Sequence, residues 1–205
     1  MTCLREGTQD LHTRIETRLD FSIHFASRTK YRQLLERYYG FYMPFEANLF
    51  APERTADWAC LEIDFAARRK TSWLQDDLKA LDLDAGQILG LPLCSPEALP
   101  HPSSPSELLG CAYVLEGATL GGKVIGRHIE QALGVTVGAP GARFFYGYGV
   151  ASGIMWKQFR QAAEAFTERK HVHRFDEDGE IIQKAVVFAR HTFLALENHV
   201  FSDGL

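Results

Sequence analysis

Apolar residues recur at helical spacing along nearly the whole chain, and this is the strongest constraint on its fold. Near the N-terminus, Leu4, Leu11, Ile15 and Leu19 follow this spacing and predict a first helix over residues 3–19. Strict alternation of apolar and polar residues, which is typical of strands, is scarce. The chain is therefore expected to belong to the all-α class.

The same periodicity predicts further helices over residues 29–50, 61–67, 72–81, 106–133, 150–168 and 180–201. Pro44 is expected to end or kink the second helix, because proline removes a backbone hydrogen bond from a helix interior. Residues 90–105 contain five prolines and are expected to form a loop. One domain over residues 1–205, folded as an irregular helical bundle, is the expected architecture.

The composition restricts the partner and the compartment. Hydrophobic residues make up 46% of the 205 residues and charged residues 23%, which is typical of a globular protein. A net charge of −4 argues against nucleic acid or an anionic membrane surface as the main partner. No apolar run is expected to span a bilayer, and the first residues lack the apolar core of an export signal. The cysteines match no zinc or redox spacing, so reduced thiols in a cytoplasmic protein are expected: Cys3, Cys60, Cys94 and Cys111.

The first predicted helix carries a histidine with a carboxylate one turn further along. Glu16 shares a helix face with His12, because residues four apart are neighbours on a helix. Arg5 lies two turns before His12 on roughly the same face, about 10 Å away along the axis. One face could therefore ligate a metal, orient the ligand through a second hydrogen bond and attract an anionic group. A partly exposed histidine in a surface charge pair is the alternative interpretation.

Glycines interrupt an apolar helical stretch at Gly117, Gly121, Gly122 and Gly126. Each glycine in a helix interior costs about 1 kcal/mol relative to alanine, so four of them in ten residues require a reason. The bare backbone would let a flat ligand lie against the helix, or let the helix bend. Close helix packing through small residues, or a loop, are the alternatives. A phosphate-binding loop is disfavoured, because no strand precedes the glycines and no Gly-Lys-Ser/Thr ending follows.

Together, these two segments resemble the heme oxygenase family. Residues 6–12 are similar to the family's proximal-helix pattern Glu-Ala-Thr-x-x-x-His, with Glu16 at the position of the carboxylate that follows the histidine. Residues 117–122 are similar to the distal-helix pattern Gly-Asp-Leu-Ser-Gly-Gly, and residues 116–122 approach the Glu-Gly-Ser-x-Leu-Gly-Gly of bacterial members. The resemblance implies a helical bundle that holds heme between the first helix and the glycine-rich helix.

The resemblance covers most of the chain and implies roles for individual residues. It implies that His12 ligates the iron and that Gly117 and Gly121 act beside it in catalysis. Further heme contacts are implied at Arg5, Glu16, Tyr113, Gly122, Lys157, Arg160 and Phe193. Among these, Arg5 and Lys157 would pair with the heme propionates, as positive side chains do with carboxylates. Arg160 stands one residue before the matching basic position of the family, where this chain has Gln161.

Ala118 departs from the family pattern. Animal-type members have an aspartate there, which holds the water that delivers protons to bound dioxygen. An alanine cannot hold that water. Backbone carbonyls of a bent helix, Glu116 or another group would have to replace it.

The resemblance implies oxidative cleavage of heme to biliverdin, iron and carbon monoxide, with heme as both cofactor and substrate. A neutral His12 would leave the opposite face of the iron open. Dioxygen and an electron-donor reductase or ferredoxin are the implied co-reactants. A biliverdin acceptor such as a bacteriophytochrome is a further implied partner.

Two other functions remain open. A protein that stores, transfers or senses heme without cleaving it would agree with Ala118 and with the displaced Arg160. A helical enzyme acting on a thiamine-like or quinone-precursor substrate would need acid–base groups in a pocket. The aromatic second helix offers such groups, although their helical spacing favours core positions: Tyr38, Tyr39, Tyr42 and Glu46.

The remaining histidines are weaker candidates for a metal ligand than His12. They are His24, His101, His128, His171, His173, His191 and His199. His171 and His173 could bind a stray metal ion, although an exposed loop before an acidic turn is the preferred interpretation. His128 is expected to be exposed.

Overall fold

A computed structural model describes residues 1–171 and 178–202 of the protein, without the side chains of Lys170, His171 and Asp178. His173 and the side chain of His171 lie outside the described residues, and so does the metal pair considered for them. Within the described residues the secondary structure is entirely helical. This confirms the all-α class.

Eleven α-helices are present in the described part of the chain. They are α1 Thr2–Arg18, α2 Phe21–His24, α3 Arg28–Leu49, α4 Thr55–Leu61, α5 Thr71–Ala80, α6 Ala85–Leu89, α7 Pro105–Gly117, α8 Gly122–Leu133, α9 Arg143–Tyr146, α10 Ser152–His171 and α11 Asp178–Val200. Short 3₁₀ turns occur at Pro52–Arg54, Ala66–Arg68, Pro96–Ala98, Ala118–Gly121 and Gly149–Ala151.

Short polar side chains mark where several helices begin. The side chains of Asp20, Ser27, Asp84 and Ser104 each accept a hydrogen bond from a backbone N–H in the first turn that follows. Such caps satisfy backbone donors that have no partner within the helix. The boundaries of α2, α3, α6 and α7 therefore follow from local chemistry.

Two predicted boundaries are wrong, and one of the two outcomes expected at Pro44 is excluded. Pro44 does not end α3, which continues to Leu49, close to the predicted end at residue 50. The buried residues beyond it, among them Phe45 and Leu49, supply packing that outweighs a cost of about 3 kcal/mol for an internal proline. The single helix expected over 106–133 is divided by the 3₁₀ turn Ala118–Gly121, and α4 ends where a helix over 61–67 was expected to begin.

The core is built around α3, whose aromatic side chains are buried along much of its length. A second buried cluster joins α1, α7 and α11 through Leu4, Leu11, Val114, Ala189 and Phe193. This second cluster matters for function, because it places the first helix beside the glycine-rich segment.

One helical segment meets the length and hydropathy expected of a membrane span, contrary to the sequence expectation. Residues Pro105–Leu133 have a mean hydropathy of 1.3 over the best window, and 56% of that window is buried inside the protein. Core helices of water-soluble proteins meet the same criteria, and the 3₁₀ turn interrupts this segment. Length and composition alone are therefore weak support for a membrane span.

Candidate functional site

His12 lies on an exposed face of α1 with one ring nitrogen held. Its side chain is 52% exposed, and Nδ1 lies 3.3 Å from Oε2 of Glu16. The ring of Phe193 from α11 lies edge-on to the imidazole, with the ring centroids 6.2 Å apart. Within the described residues, Nε2 has no hydrogen-bond partner. A carboxylate on the far nitrogen and an open near nitrogen are typical of a metal-ligating histidine.

Close packing on α11 holds α1 in place. A Cβ at Gly7 would lie 2.6 Å from Cγ1 of Val186, so the glycine permits the approach of the two helices. Arg190 of α11 donates to the carbonyl of Gly7 at 2.7 Å and to both carboxylate oxygens of Asp10 at 2.7 and 2.9 Å. The turns before His12 are therefore fixed.

The turn after His12 is fixed by a buried carboxylate. Glu197 of α11 is 2% exposed and pairs with Arg14 at 2.8 Å and with Arg18 at 2.9 Å. Because a buried carboxylate without its cations is costly, these pairs tie the end of α1 to α11. His12 thus lies on a helix that is held on both sides of it.

The glycine-rich segment changes from α-helix to a 3₁₀ turn and leaves one face open. We call the 3₁₀ turn Ala118–Gly121 with its flanking residues Gly117 and Gly122 the glycine turn. A Cβ at Gly117 would meet no atom within 4 Å, and Ala118 is exposed. Leu120 and Val124 are 48% and 58% exposed, so the open surface here is apolar.

The open face of the turn and His12 border the same buried cluster. Gly117 lies three residues after Val114, and positions three apart are neighbours on a helix. Val114 belongs to the same buried cluster as Leu11, the residue before His12, and as Phe193, which contacts His12. We use the name candidate crevice for the region bordered by the His12 face of α1 and the glycine turn, since both lie next to this cluster.

Basic and aromatic groups meet at one edge of the crevice. Burial raises the pKa of Tyr113, while the hydroxyl of Thr8 and the charge of Arg5 lower it. The ring of Trp156 in α10 lies 5.8 Å from that of Tyr113. Lys157 follows Trp156 and is exposed. The charge of Arg5 therefore acts on Tyr113, and Lys157 is next in sequence to a residue that contacts Tyr113.

The arrangement of His12, the glycine turn and the nearby basic residues agrees with a comparison with known protein families. The model of the heme oxygenase family matches residues 1–195. The chain belongs to the heme oxygenase family. A comparison with curated proteins gives no match. Membership assigns this heme oxygenase-family protein a heme-related function and a heme-binding fold, which agree with its all-helical architecture.

Two predicted heme contacts have other partners in this heme oxygenase-family protein. Arg160 is exposed, and its guanidinium lies 3.5 Å from Glu164, one turn on in the same helix. Exposed pairs of this kind contribute about 0–1 kcal/mol, so Arg160 is readily released to another carboxylate. Gly122 is buried, and a Cβ there would lie 2.5 Å from the carbonyl oxygen of Phe145. Close packing against this carbonyl therefore explains why a glycine stands at position 122. The contact of Gly122 with heme stays a prediction.

Sequence reasoning missed a buried ionic cluster behind the glycine turn. Glu116, 1% exposed, pairs through Oε2 with Arg68 and through Oε1 with Nζ of Lys70 at 2.9 Å. The hydroxyl of Tyr148 also donates to Oε1, at 2.8 Å. The only signal in the sequence is the basic run Arg68–Lys70, and such a run is equally typical of a solvent-exposed loop. We call these four residues the Glu116 cluster.

The Glu116 cluster bears on the departure at Ala118. Both carboxylate oxygens of Glu116 accept hydrogen bonds from protein groups, and the side chain is buried. This removes Glu116 from the groups able to hold water in the crevice in place of an aspartate. Backbone carbonyls of the glycine turn remain as candidates.

The aromatic second helix is core, as its spacing indicated. Tyr39 and Tyr42 are each 1% exposed, and Tyr38 is 6% exposed. Glu46 accepts hydrogen bonds from the backbone N–H groups of Lys70 and Thr71 at the start of α5, at 2.7 and 3.1 Å. These residues hold the fold together, which removes the support for an acid–base enzyme built on them.

The other described histidines lie in surroundings that do not indicate a metal site. His24 is buried and its Nε2 lies 3.1 Å from the carbonyl of Arg18. His128 is exposed, as expected, against the ring of Phe21. His191 and His199 line a separate open groove of about 550 Å³ beside the proline-rich loop. Among the described residues, no three His, Cys, Asp or Glu side chains lie close enough to hold a metal ion together.

Proposed function

We propose that the protein cleaves heme oxidatively to biliverdin, iron and carbon monoxide, with His12 as the proximal iron ligand. The observation that carries the proposal is the state of His12. Its imidazole is half-exposed, Nδ1 is held by Glu16, and Nε2 is open. A histidine of this kind would hold heme through its iron, and the iron would supply the chemistry with dioxygen.

The residues around the crevice fit a flat apolar ring with an anionic edge. The open face at Gly117 and the exposed Leu120 and Val124 offer apolar surface to the ring. Arg5 and Lys157 are exposed cations on the two elements that flank Tyr113. They would bind the propionates through charge-assisted hydrogen bonds.

Bound heme supplies the iron at which dioxygen is reduced, and an outside reductase or ferredoxin supplies the electrons. The chain's own residues hold and orient the heme, dioxygen and water. Glu16 keeps the His12 ring in one orientation and makes it a stronger ligand. Gly117 and Gly121, without side chains, would leave room beside bound heme for dioxygen and water. Backbone carbonyls of the glycine turn would hold that water in place of the missing aspartate.

The test is a spectroscopic assay with a matched control. Purified protein is mixed with equimolar hemin, then given an electron donor in air with catalase present. We expect the Soret band to decline while the broad red band of biliverdin grows. His12→Ala should abolish this, and added imidazole should restore part of the heme spectrum.

His191→Ala is the control, because His191 is also exposed on a helix and its ring also lies beside a phenylalanine, Phe188. It should behave as the wild type. Equal behaviour of His12→Ala and His191→Ala would remove His12 as the ligand.

The second candidate function is heme binding, transfer or sensing without cleavage. Ala118 and the engagement of both Glu116 oxygens favour it, because they leave no acidic side chain in the glycine turn or directly before it for proton delivery. A heme spectrum that persists under reductant in air, with no biliverdin formed, would establish this function instead.

We further propose a cytoplasmic location, with a bacteriophytochrome-like acceptor as one destination for biliverdin. Four free thiols, at Cys3, Cys60, Cys94 and Cys111, support a reducing compartment. Cell fractionation tests the location. Transfer of newly formed biliverdin to an apo-phytochrome, followed by its absorption change, tests the partner.

A further inference from the structure

The Glu116 cluster holds the start of the glycine turn from inside the bundle. Glu116 directly precedes Gly117, and successive residues of a helix point about 100° apart. With the Glu116 carboxylate fixed inside, the next two residues are presented outward. Gly117 is open and Ala118 is exposed, in agreement with this.

Donors reach the Glu116 carboxylate from separate segments of the chain. Arg68 and Lys70 come from the segment before α5, while Tyr148 comes from the segment after α9. Bonds to both carboxylate oxygens fix the rotation of the last turn of α7 about its axis, which one hydrogen bond would not do. Buried ion pairs add little net stability relative to apolar packing, and specifying one geometry is their better-attested use.

The segment that contains Tyr148 also contacts the rest of the glycine turn. A Cβ at Gly122 would lie 2.5 Å from the carbonyl oxygen of Phe145. A Cβ at Gly147 would lie 3.1 Å from Cβ of Thr119. The turn is therefore held at its start, middle and end by residues 145–148.

We propose that Glu116, Arg68, Lys70 and Tyr148 are positioning residues that set where the glycine turn lies above the heme plane. The turn in that position decides which meso carbon of the ring is oxidised. The part of this inference that concerns the product rests on the proposed function. The part that concerns the position of the turn rests on heme binding alone.

Tyr148→Phe is the first test, because it removes one donor from Glu116 and keeps the ring that packs against Trp73. Tyr31→Phe is the matched control. Its hydroxyl donates to the carbonyl of Gly141 at 2.8 Å and is fully buried, and it does not contact Glu116.

Both variants should bind one heme as the wild type does. Only Tyr148→Phe should change the ratio of biliverdin isomers, by about threefold or more, which corresponds to ~0.7 kcal/mol at 1.36 kcal/mol per tenfold. Only Tyr148→Phe should also change the C–O stretching frequency of the ferrous heme exposed to carbon monoxide, which reports contact with the glycine turn.

Lys70→Met is the second variant, since Glu116→Gln would leave two buried cations without a carboxylate. Glu116 then keeps Arg68 and Tyr148, and both readouts should move as in Tyr148→Phe. Unchanged readouts in Tyr148→Phe and Lys70→Met, or equal changes in Tyr31→Phe, would overturn the inference. A wild type that binds heme without forming biliverdin overturns the proposed function instead, and the C–O frequency still decides the position of the turn.

Discussion

At the scale of single residues, Glu16 is expected to set the strength of His12 as a ligand. Partners of a ligating histidine change metal affinity by about 10–100-fold when they are removed. Because Glu16 is 67% exposed, we expect the lower end, about 10-fold weaker heme binding for Glu16→Ala. Hemin titration and the iron–histidine stretching frequency measure this. Glu6→Ala removes the same charge from the exposed face of α1 and should leave both quantities unchanged.

The four thiols are expected to divide into two reactive and two protected groups. Cys3 and Cys60 are exposed, whereas Cys94 and Cys111 are buried. Burial raises the pKa of Cys94, and it raises the pKa of Cys111 to about 12. Since the thiolate is the reactive form, a thiol reagent should modify two cysteines quickly in the folded protein and four after denaturation. Cys3→Ser and Cys60→Ser should each remove one fast reaction, and a fast third thiol would contradict this.

At the scale of elements, the glycine turn contains two glycines with opposite expected behaviour. Gly117→Leu places a side chain in open space, so the fold should be retained while heme binding is lost. Gly122→Ala forces a Cβ against the carbonyls of Phe145 and Tyr146 at 2.5 and 2.8 Å, so it should lower the free energy of unfolding by about 1–3 kcal/mol. Hemin titration and urea unfolding of both variants test this. A Gly117→Leu protein that binds heme normally would place the ring elsewhere.

Asp77 joins α5 to α9 and is expected to make stability depend on pH. Its carboxylate accepts from the backbone N–H groups of Gly141, Arg143 and Phe144 at 2.7, 2.9 and 2.7 Å. Burial raises the pKa of Asp77 from 3.8 to about 6, although these three donors lower it. The folded protein therefore keeps the proton to a higher pH than the unfolded chain. Between pH 4 and 6 the unfolded state binds fewer protons, so stability falls as pH rises through this window.

The size of this effect is about 3 kcal/mol, at 1.36 kcal/mol per pKa unit. Urea unfolding of the wild type and Asp77→Asn from pH 4 to 7 should show the wild-type advantage shrinking as pH rises. Asp64→Asn is the control, because Asp64 is exposed and accepts only a 3.4 Å hydrogen bond from the N–H of Ala67. A wild-type advantage that is constant with pH would show that Asp77 is ionised throughout.

At the scale of the whole molecule, heme is expected to stabilise the fold. A ligand that binds only the folded state at one hundred times its Kd adds about 2.7 kcal/mol. For a chain of this length each kcal/mol raises Tm by about 2–4 °C, so a rise of several degrees is expected on heme binding. His12→Ala should lose most of the rise, measured by calorimetry. A full rise in His12→Ala would show that the ring contacts hold heme without the iron ligand.

The all-α class and the longer helices could be predicted from the sequence, because apolar residues on one helix face recur every three or four positions. The short helices α2, α6 and α9 are too brief for periodicity to detect. The glycines predicted a bend as one possibility, but not the division between α7 and α8. The reason is that each glycine costs a helix only about 1 kcal/mol. His12 and Gly117 could be predicted as site residues because each lies in a local motif, and these assignments stay predictions.

The Glu116 cluster could not be predicted in this way. Its members lie 48 and 32 residues from Glu116 along the chain, at Arg68 and Tyr148. No local repeat links such positions, and only the packed structure shows that their charges are buried together.

The two helices that border the candidate crevice, α1 and α7, both pack against α11. α1 approaches α11 through Gly7, and α7 approaches it through Gly110, where a Cβ would lie 2.1 Å from the carbonyl oxygen of Ala185. The spacing between the two sides is therefore established when the chain folds, before any ligand arrives. The entropy of ordering the site is lost during folding rather than during association. A preorganised site of this kind should capture heme quickly and with little change in backbone order.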